Sequence, residues 1–115
     1  MSLTLHSDLY RISPWVLTAW VALREKNLEF TLKDLDLDRA DQRQDDYLAR
    51  SLLGKVPVLD HDGYWLSESL AIAEYLAETF PYPGNPRLFP EDLLARGRCR
   101  QIMMWIRTDL VALRR

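Results

Sequence analysis

Leu3 to Ser7 alternates apolar and polar side chains, so the pattern predicts a short strand with Leu3, Leu5 and Ser7 on one face. After a loop, the spacing turns helical at Ser13. Ser13 is a good N-cap, and Pro14 suits the first helical position, where no N–H is needed. The helix is predicted to run to about Lys26. Val16, Trp20 and Leu23 form one stripe, with Leu17 and Val21 beside it. Both stripes are apolar, which predicts a largely buried helix. Asn27 can end it in a left-handed conformation.

"EFTLKDLDL" reads as a second strand, but Phe30 and Leu32 share one phase while Leu35 and Leu37 share the other. That slip implies a bulge, or a strand ending near Lys33. The polar stretch "DRADQRQDDYLARSL" reads as a short exposed helix or a connector. Val56, Val58 and Leu59 form a third strand, "DHDG" a turn, and Tyr64 to Leu66 the return. A helix from Ser69 to about Thr79 carries Leu70, Ala73, Leu76, Ala77 and Phe80 on one stripe. "PYPGNPRLFP" holds four of the six prolines and marks a linker. A last helix begins near Glu91, with Cys99, Ile102, Met103, Ile106, Leu110 and Leu113 on its apolar face.

The order is β-α-β, connector, β-β-α, helix. The first unit predicts parallel strands with a right-handed crossover, and the hairpin adds an antiparallel pair. The fold class is α/β: a thioredoxin-like four-stranded mixed sheet followed by one long helix. The expected division is residues 1–81, a linker at 82–90, and a helical segment at 91–115.

The chain has 115 residues, enough for one domain with its own core. Its net charge of −2 offers no basic face for nucleic acid or a membrane surface. One cysteine, Cys99, excludes an internal disulfide, a Cys-rich zinc site and a Cys-x-x-Cys redox pair, and fits a reducing cytosol. The start lacks a basic region followed by a long apolar run, so we read no secretory signal and expect a cytoplasmic protein. His6 and His61 have no triad or metal spacing around them. They are expected in a strand and in an exposed turn.

Two short stretches carry candidate chemistry. Pro57 stands where a strand begins, and proline cannot donate to a ladder. A cis Val56–Pro57 bond there would free the Val56 backbone to pair with an extended peptide. "SES", Ser67 to Ser69, opens a helix whose positive end favours an anion. Ser69 offers a hydroxyl to a carboxylate, and Glu68 a carboxylate to an ammonium group. Helix capping by Ser67 or Ser69 explains the same stretch more simply.

"SPWV" at Ser13–Val16, "GKVPVL" at Gly54–Leu59 and "SESLAIAEYL" at Ser67–Leu76, taken together, resemble the N-terminal domain of the cytosolic glutathione S-transferases. The last helix resembles the opening of their C-terminal helical domain. The resemblance implies glutathione as co-substrate, no metal, and Ser13 as the catalytic hydroxyl that donates to the glutathione sulfur. It implies that Lys55 lies near the glycine carboxylate and that the Val56 backbone pairs with the cysteinyl part. It implies a cis Pro57, and Glu68 and Ser69 on the γ-glutamyl amino and carboxylate groups.

The implied reaction transfers the thiolate to a small electrophile or reduces a peroxide. Serine at position 13 rules out a mixed disulfide there. Full-length relatives are usually homodimers. The chain stops one helix into the second domain, which implies a fragment, or a partner that covers Ile102, Ile106 and Leu110. The alternative is a transferase-like module used for binding or dimerisation without turnover.

Overall fold

The computed structural model describes residues 1–10, 13–52 and 54–109. Its elements are β1 (Leu3–Asp8), α1 (Pro14–Glu25), β2 (Thr31–Leu35), α2 (Asp45–Arg50), β3 (Val58–His61), β4 (Tyr64–Ser67), α3 (Ser69–Thr79) and α4 (Leu93–Asp109). The sheet order is β2-β1-β3-β4. β1 runs parallel to β2, and β3 lies antiparallel to both β1 and β4. This is the mixed thioredoxin-like sheet with one further long helix.

The sheet has two buried faces, and that resolves the phase slip in β2. β1 pairs with β2 one to one from Thr4↔Thr31 to Asp8↔Leu35, without a bulge and past Lys33. Leu32 shares the face of Leu5 and packs against the core formed by Leu3, Leu5, Val16, Leu23, Leu59, Ile72 and Leu76. Leu35 shares the other face with Val58 and Tyr47. One strand thus serves two cores, so its apolar residues fall in both phases.

Two 3₁₀ turns, Leu37–Arg39 and Asp41–Arg43, lead into α2, so the connector is partly helical. Tyr47, buried on the second face, is the residue the polar pattern of that stretch concealed. Gly54 closes the passage from α2 to β3. Its φ is +62°, and a side chain there would meet the Gln42 carbonyl oxygen at 2.7 Å.

The hairpin is tighter than the pattern predicted. β3 starts at Val58, leaving Val56 outside the strand, and His61 pairs with Tyr64. The turn is only Asp62–Gly63, both at positive φ (52° and 93°), as a two-residue hairpin of this twist requires. His61 is therefore a strand residue, half-buried, and not part of an exposed turn. Its Nδ1 lies 2.6 Å from the Tyr75 hydroxyl on α3.

α1 is buried on one side only. Val16, Ala19, Ala22 and Leu23 are buried, whereas Leu17 is 58% exposed, Val21 41% and Trp20 39%. The expectation of a largely buried helix is corrected: α1 is dried by the sheet and α3, and nothing described covers its outer stripe. Asn27 does take the left-handed conformation, at φ 57°. On α3 the buried residues are Ser69, Ile72, Ala73 and Leu76, so Ala73 and Leu76 of the predicted stripe are buried while Leu70, Ala77 and Phe80 are half-buried.

Lys26, at the end of α1, ties the linker down. Its Nζ donates to the Phe80 carbonyl at 2.7 Å, and Asn85 Nδ2 donates to the Lys26 carbonyl at 2.9 Å. α4 begins at Leu93 after Asp92, whose carboxylate accepts from the Ala95 N–H at 2.9 Å. The face it turns to the rest of the chain is Arg100, Met103 and Arg107. Arg100 pairs with Glu74 on α3 at 2.8 Å, and Met103 packs against the main core. Ile102 and Ile106 are exposed, as are Met104 and Trp105. Leu110 and Leu113 lie outside the described residues.

In urea unfolding, Leu23→Ala is expected to cost about 3 kcal/mol, within the usual range for a fully buried leucine. Leu17→Ala, on the outer stripe, is expected to stay within about 0.5 kcal/mol of wild type. Equal losses would show that the outer stripe of α1 is covered in solution.

Candidate functional site

β1 and β3 run in opposite directions, so the end of β1 and the start of β3 lie at the same edge of the sheet. The chain leaves β1 there to begin α1, enters β3 through Val56–Pro57, and leaves β4 there to begin α3. A cleft of about 120 Å³ opens at this edge, lined by Trp15, Leu52, Lys55, Val56, Pro57, Ser67, Glu68 and Arg107. Four of the six candidate residues, Lys55, Val56, Pro57 and Glu68, therefore meet in one place.

The Val56–Pro57 bond is cis. So is Tyr82–Pro83 in the linker, which nothing in the sequence pattern singled out. Pro57 is buried and Lys55 exposed, with Val56 between them in burial. The carbonyl of Lys55 accepts a hydrogen bond from the buried Tyr47 hydroxyl at 2.6 Å. Across the cleft, the Ser67 hydroxyl accepts from the Leu52 N–H at 3.0 Å. These two bonds fix the passage from α2 to β3 from both sides.

Capping does not account for "SES". The N-cap of α3 is Glu68, and its side chain makes no capping bond. Ser67 is occupied with Leu52, and Ser69 is buried as the first residue of the helix. The first turn of α3 thus keeps N–H groups that no capping side chain takes up. Glu68 also has φ +76°, a conformation that costs a non-glycine residue about 1–3 kcal/mol and collects at functional sites. Its carboxylate points away from its own helix to Arg107 on α4, at 2.7 Å.

Arg107 is a charged lining residue that sequence reasoning missed, as it did Trp15 and Leu52. Its guanidinium also lies 5.9 Å from the Trp15 ring, so one side chain joins α4 to the first turns of both α1 and α3. The available signal was its position seven residues after Arg100, on the stripe that faces α3.

Ser13 stands apart from this cleft. Its hydroxyl accepts from the Val16 N–H at 3.3 Å, the capping role, and its own N–H donates to Asp8 at 3.4 Å. It lines a neighbouring, more apolar cavity of about 270 Å³ with Ser7, Val16, Leu17, Trp20 and Leu32. An accepting hydroxyl oxygen still has a proton to donate. Ser69 is close to the cleft in sequence but does not line it. His6 is buried in β1 and does not line it either. Cys99 is half-buried on α4 against the linker and α1.

Among the described residues, no three or more His, Cys, Asp or Glu side chains are grouped to hold a metal ion. No described helix is long and apolar enough to cross a membrane.

Residues 12–79 match the family described as "Glutathione S-transferase, N-terminal domain". The chain is 38% identical over 101 residues to glutathione S-transferase F10 of Arabidopsis thaliana, covering 88% of this chain and 45% of that protein. It is 37% identical over 92 residues to maleylacetoacetate isomerase of Dictyostelium discoideum, covering 78% and 41%. Among solved structures, a glutathione transferase homolog from a Burkholderia, crystallised with bound glutathione, superposes with a TM-score of 0.88 at 38% identity. That match covers 98% of this chain and 58% of the other. The chain thus spans less than half the length of these curated relatives. With the sheet order, the cis Val56–Pro57 segment and the matched residues together, the chain belongs to the glutathione S-transferase family and spans chiefly its N-terminal, thioredoxin-like domain.

Proposed function

We propose that this chain is the glutathione-binding part of a cytoplasmic glutathione transferase. The observation that carries the reading is the meeting of Lys55, Val56, Pro57 and Glu68 at the uncapped start of α3. Glutathione is a tripeptide with one ammonium group, two carboxylates and a thiol. In this reading Glu68 holds the ammonium group. The N–H groups of the first turn of α3, with Ser69, hold the neighbouring carboxylate. Val56 pairs through its backbone with the cysteinyl part, and Lys55 faces the glycine carboxylate. Residues 1–81 form the binding unit, 82–90 the linker, and 91–115 the start of a helical domain.

The thiol then lies toward the start of α1, beside Ser13. A thiol near pKa 8.5 is mostly protonated at pH 7, and only the thiolate is a strong nucleophile. A donated O–H and a helix N-terminus both favour the charged form, so they lower the thiol pKa. Ser13 attacks nothing itself. The thiolate attacks a small electrophile, or reduces a peroxide.

Arg107 already holds Glu68 across the cleft. A cleft of about 120 Å³ is well below the ~300 Å³ of a typical small-molecule pocket, so the tripeptide needs the Arg107 side chain to swing aside. An exposed ion pair of this kind is worth about 1 kcal/mol at most, which makes that motion inexpensive.

The exposed apolar residues Leu17, Trp20, Val21, Ile102, Trp105 and Ile106 favour a second reading, a binding or dimerisation module without turnover. In a full-length homodimer the same surface would be covered.

Thiolate absorbance of glutathione titrated against pH separates these readings. The thiol pKa is expected to fall by about 2 units on binding, equivalent to roughly 2.7 kcal/mol. Ser13→Ala should return about 1–2 of those units while binding persists, the loss of a hydrogen bond to a charge. No binding at millimolar glutathione would exclude the transferase reading.

Glu68→Ala is expected to weaken glutathione binding about tenfold and leave the bound thiol pKa unchanged, read by calorimetry and absorbance together. A shifted thiol pKa with unchanged affinity would contradict the assignment of Glu68 to the ammonium group.

A further inference from the structure

The sheet face opposite α1 and α3 holds a buried histidine that the proposed chemistry does not use. His6, in the middle of β1, is 3% exposed. Its ring sits between Trp65 of β4, with centroids 4.6 Å apart, and Tyr47 of α2, at 5.5 Å. Neither ring nitrogen hydrogen-bonds to another described residue. A charged imidazole in that setting would carry two N–H groups with no acceptor among the described residues, at a heavy desolvation cost. His6 is therefore held neutral.

Tyr47 connects this buried ring to the cleft. Its aromatic body packs on His6 and Trp65, and its hydroxyl donates to the Lys55 carbonyl at 2.6 Å. Lys55 and Val56 form one wall of the cleft. α2 has only six residues, and Tyr47 is its one buried side chain. A second grip comes from Arg50, whose guanidinium lies 4.1 Å over the Trp65 ring. What seats Tyr47 therefore also sets the position of the Lys55–Val56 backbone.

We propose that Tyr47 is a positioning residue for the glutathione cleft, and that the neutral His6 ring beside it makes that positioning sensitive to pH. The proposal rests on the reading of the cleft as a glutathione site and adds a regulation to it. Protonation of His6 drives the ring to seek water. The ring can reach water only if Tyr47 and α2 lift from the sheet. When Tyr47 lifts, the Lys55 carbonyl loses its donor and the cleft wall loosens.

The charged groups around His6 act in both directions. Burial pushes the His6 pKa below its ordinary 6.5, Lys33 of β2 pushes the same way, Asp60 of β3 opposes them, and Arg50 of α2 adds to the lowering. The Tyr47 hydroxyl is raised by burial and stays protonated throughout. Because the folded state resists the proton that the unfolded chain accepts, the seating of α2 is complete above about pH 6.5. It is lost progressively as the pH falls below that value.

The test is glutathione affinity by calorimetry from pH 5 to 7, a window in which the ligand's carboxylates and ammonium group keep their charges. Amide hydrogen exchange of residues 45–50 is followed in parallel, corrected for intrinsic rates. In the wild type, affinity should fall at least threefold from pH 7 to pH 5 while the α2 amides lose protection relative to α1. His6→Met and His6→Gln each remove the titration and should make both readouts flat. Tyr47→Phe keeps the ring and loses the donor, so its affinity at pH 7 should be about fivefold weaker with unchanged circular dichroism.

Wild-type affinity in Tyr47→Phe, or wild-type pH dependence of α2 exchange in both His6 variants, would overturn the proposal. Failure of every protein to bind glutathione would overturn the glutathione reading instead. The exchange data would still decide the role of His6.

Discussion

A four-stranded sheet has two apolar faces, and both must be kept from water. Here the two coverings are very unequal. α1 and α3 lie over one face and bury seven leucine, isoleucine, valine and alanine side chains there, Val16, Ala19, Ala22, Leu23, Ile72, Ala73 and Leu76, joined by Leu28 from the segment after α1. The other face has a six-residue helix and one tyrosine. The site depends on that inequality, because the lightly covered side carries the segment from α2 to β3. Gly54, Lys55, Val56 and Pro57 have to leave α2 and enter a central strand within a few residues. Tyr47 and Ser67 hold this segment from its two sides.

The cleft follows from strand direction. Antiparallel β1 and β3 bring the exit to α1 and the entry from Pro57 to the same edge, and β4 delivers the start of α3 there as well. Three chain segments distant in sequence thus present two helix starts and the Lys55–Pro57 segment to one cleft. Helix starts favour negative charge, and Glu68 adds a carboxylate on a backbone held at positive φ. A zwitterionic peptide with a thiol is the ligand we propose for that set of groups. Arg107 makes α4 part of the cleft wall, so the first helix beyond the linker contributes to the site.

The order and placement of most elements were readable from the sequence. β1, α1 and α3 lie within a residue of the bounds their periodicities gave, the hairpin is shorter at its start by Val56, and Asn27 and Asp62–Gly63 close their elements by turn chemistry. β2 was harder, because Leu32 and Leu35 serve opposite faces and look like an error of register. Burial in α1 was overestimated, since composition cannot tell a stripe that meets a sheet from one that meets nothing described. Tyr47 was hidden in a charged run, because one aromatic residue suffices when the face it covers is small. Val56, Pro57 and Glu68 were legible from a proline at a strand start and a carboxylate at a helix start, whereas Lys55 came only from the motif resemblance. Arg107 could be found only by seeing which side of α4 faces α3.

The central claim is that the start of α3 and the Lys55–Pro57 segment form the glutathione site. Two-dimensional amide NMR of the chain titrated with glutathione tests it most directly. The account predicts the largest shifts at Lys55, Val56 and Glu68 to Ala71, a smaller group at Ser13 and Trp15, and little change at the far edge of the sheet around His61 to Tyr64. Saturable shifts centred on the linker or the outer face of α4, with Lys55 and Glu68 unmoved, would contradict it.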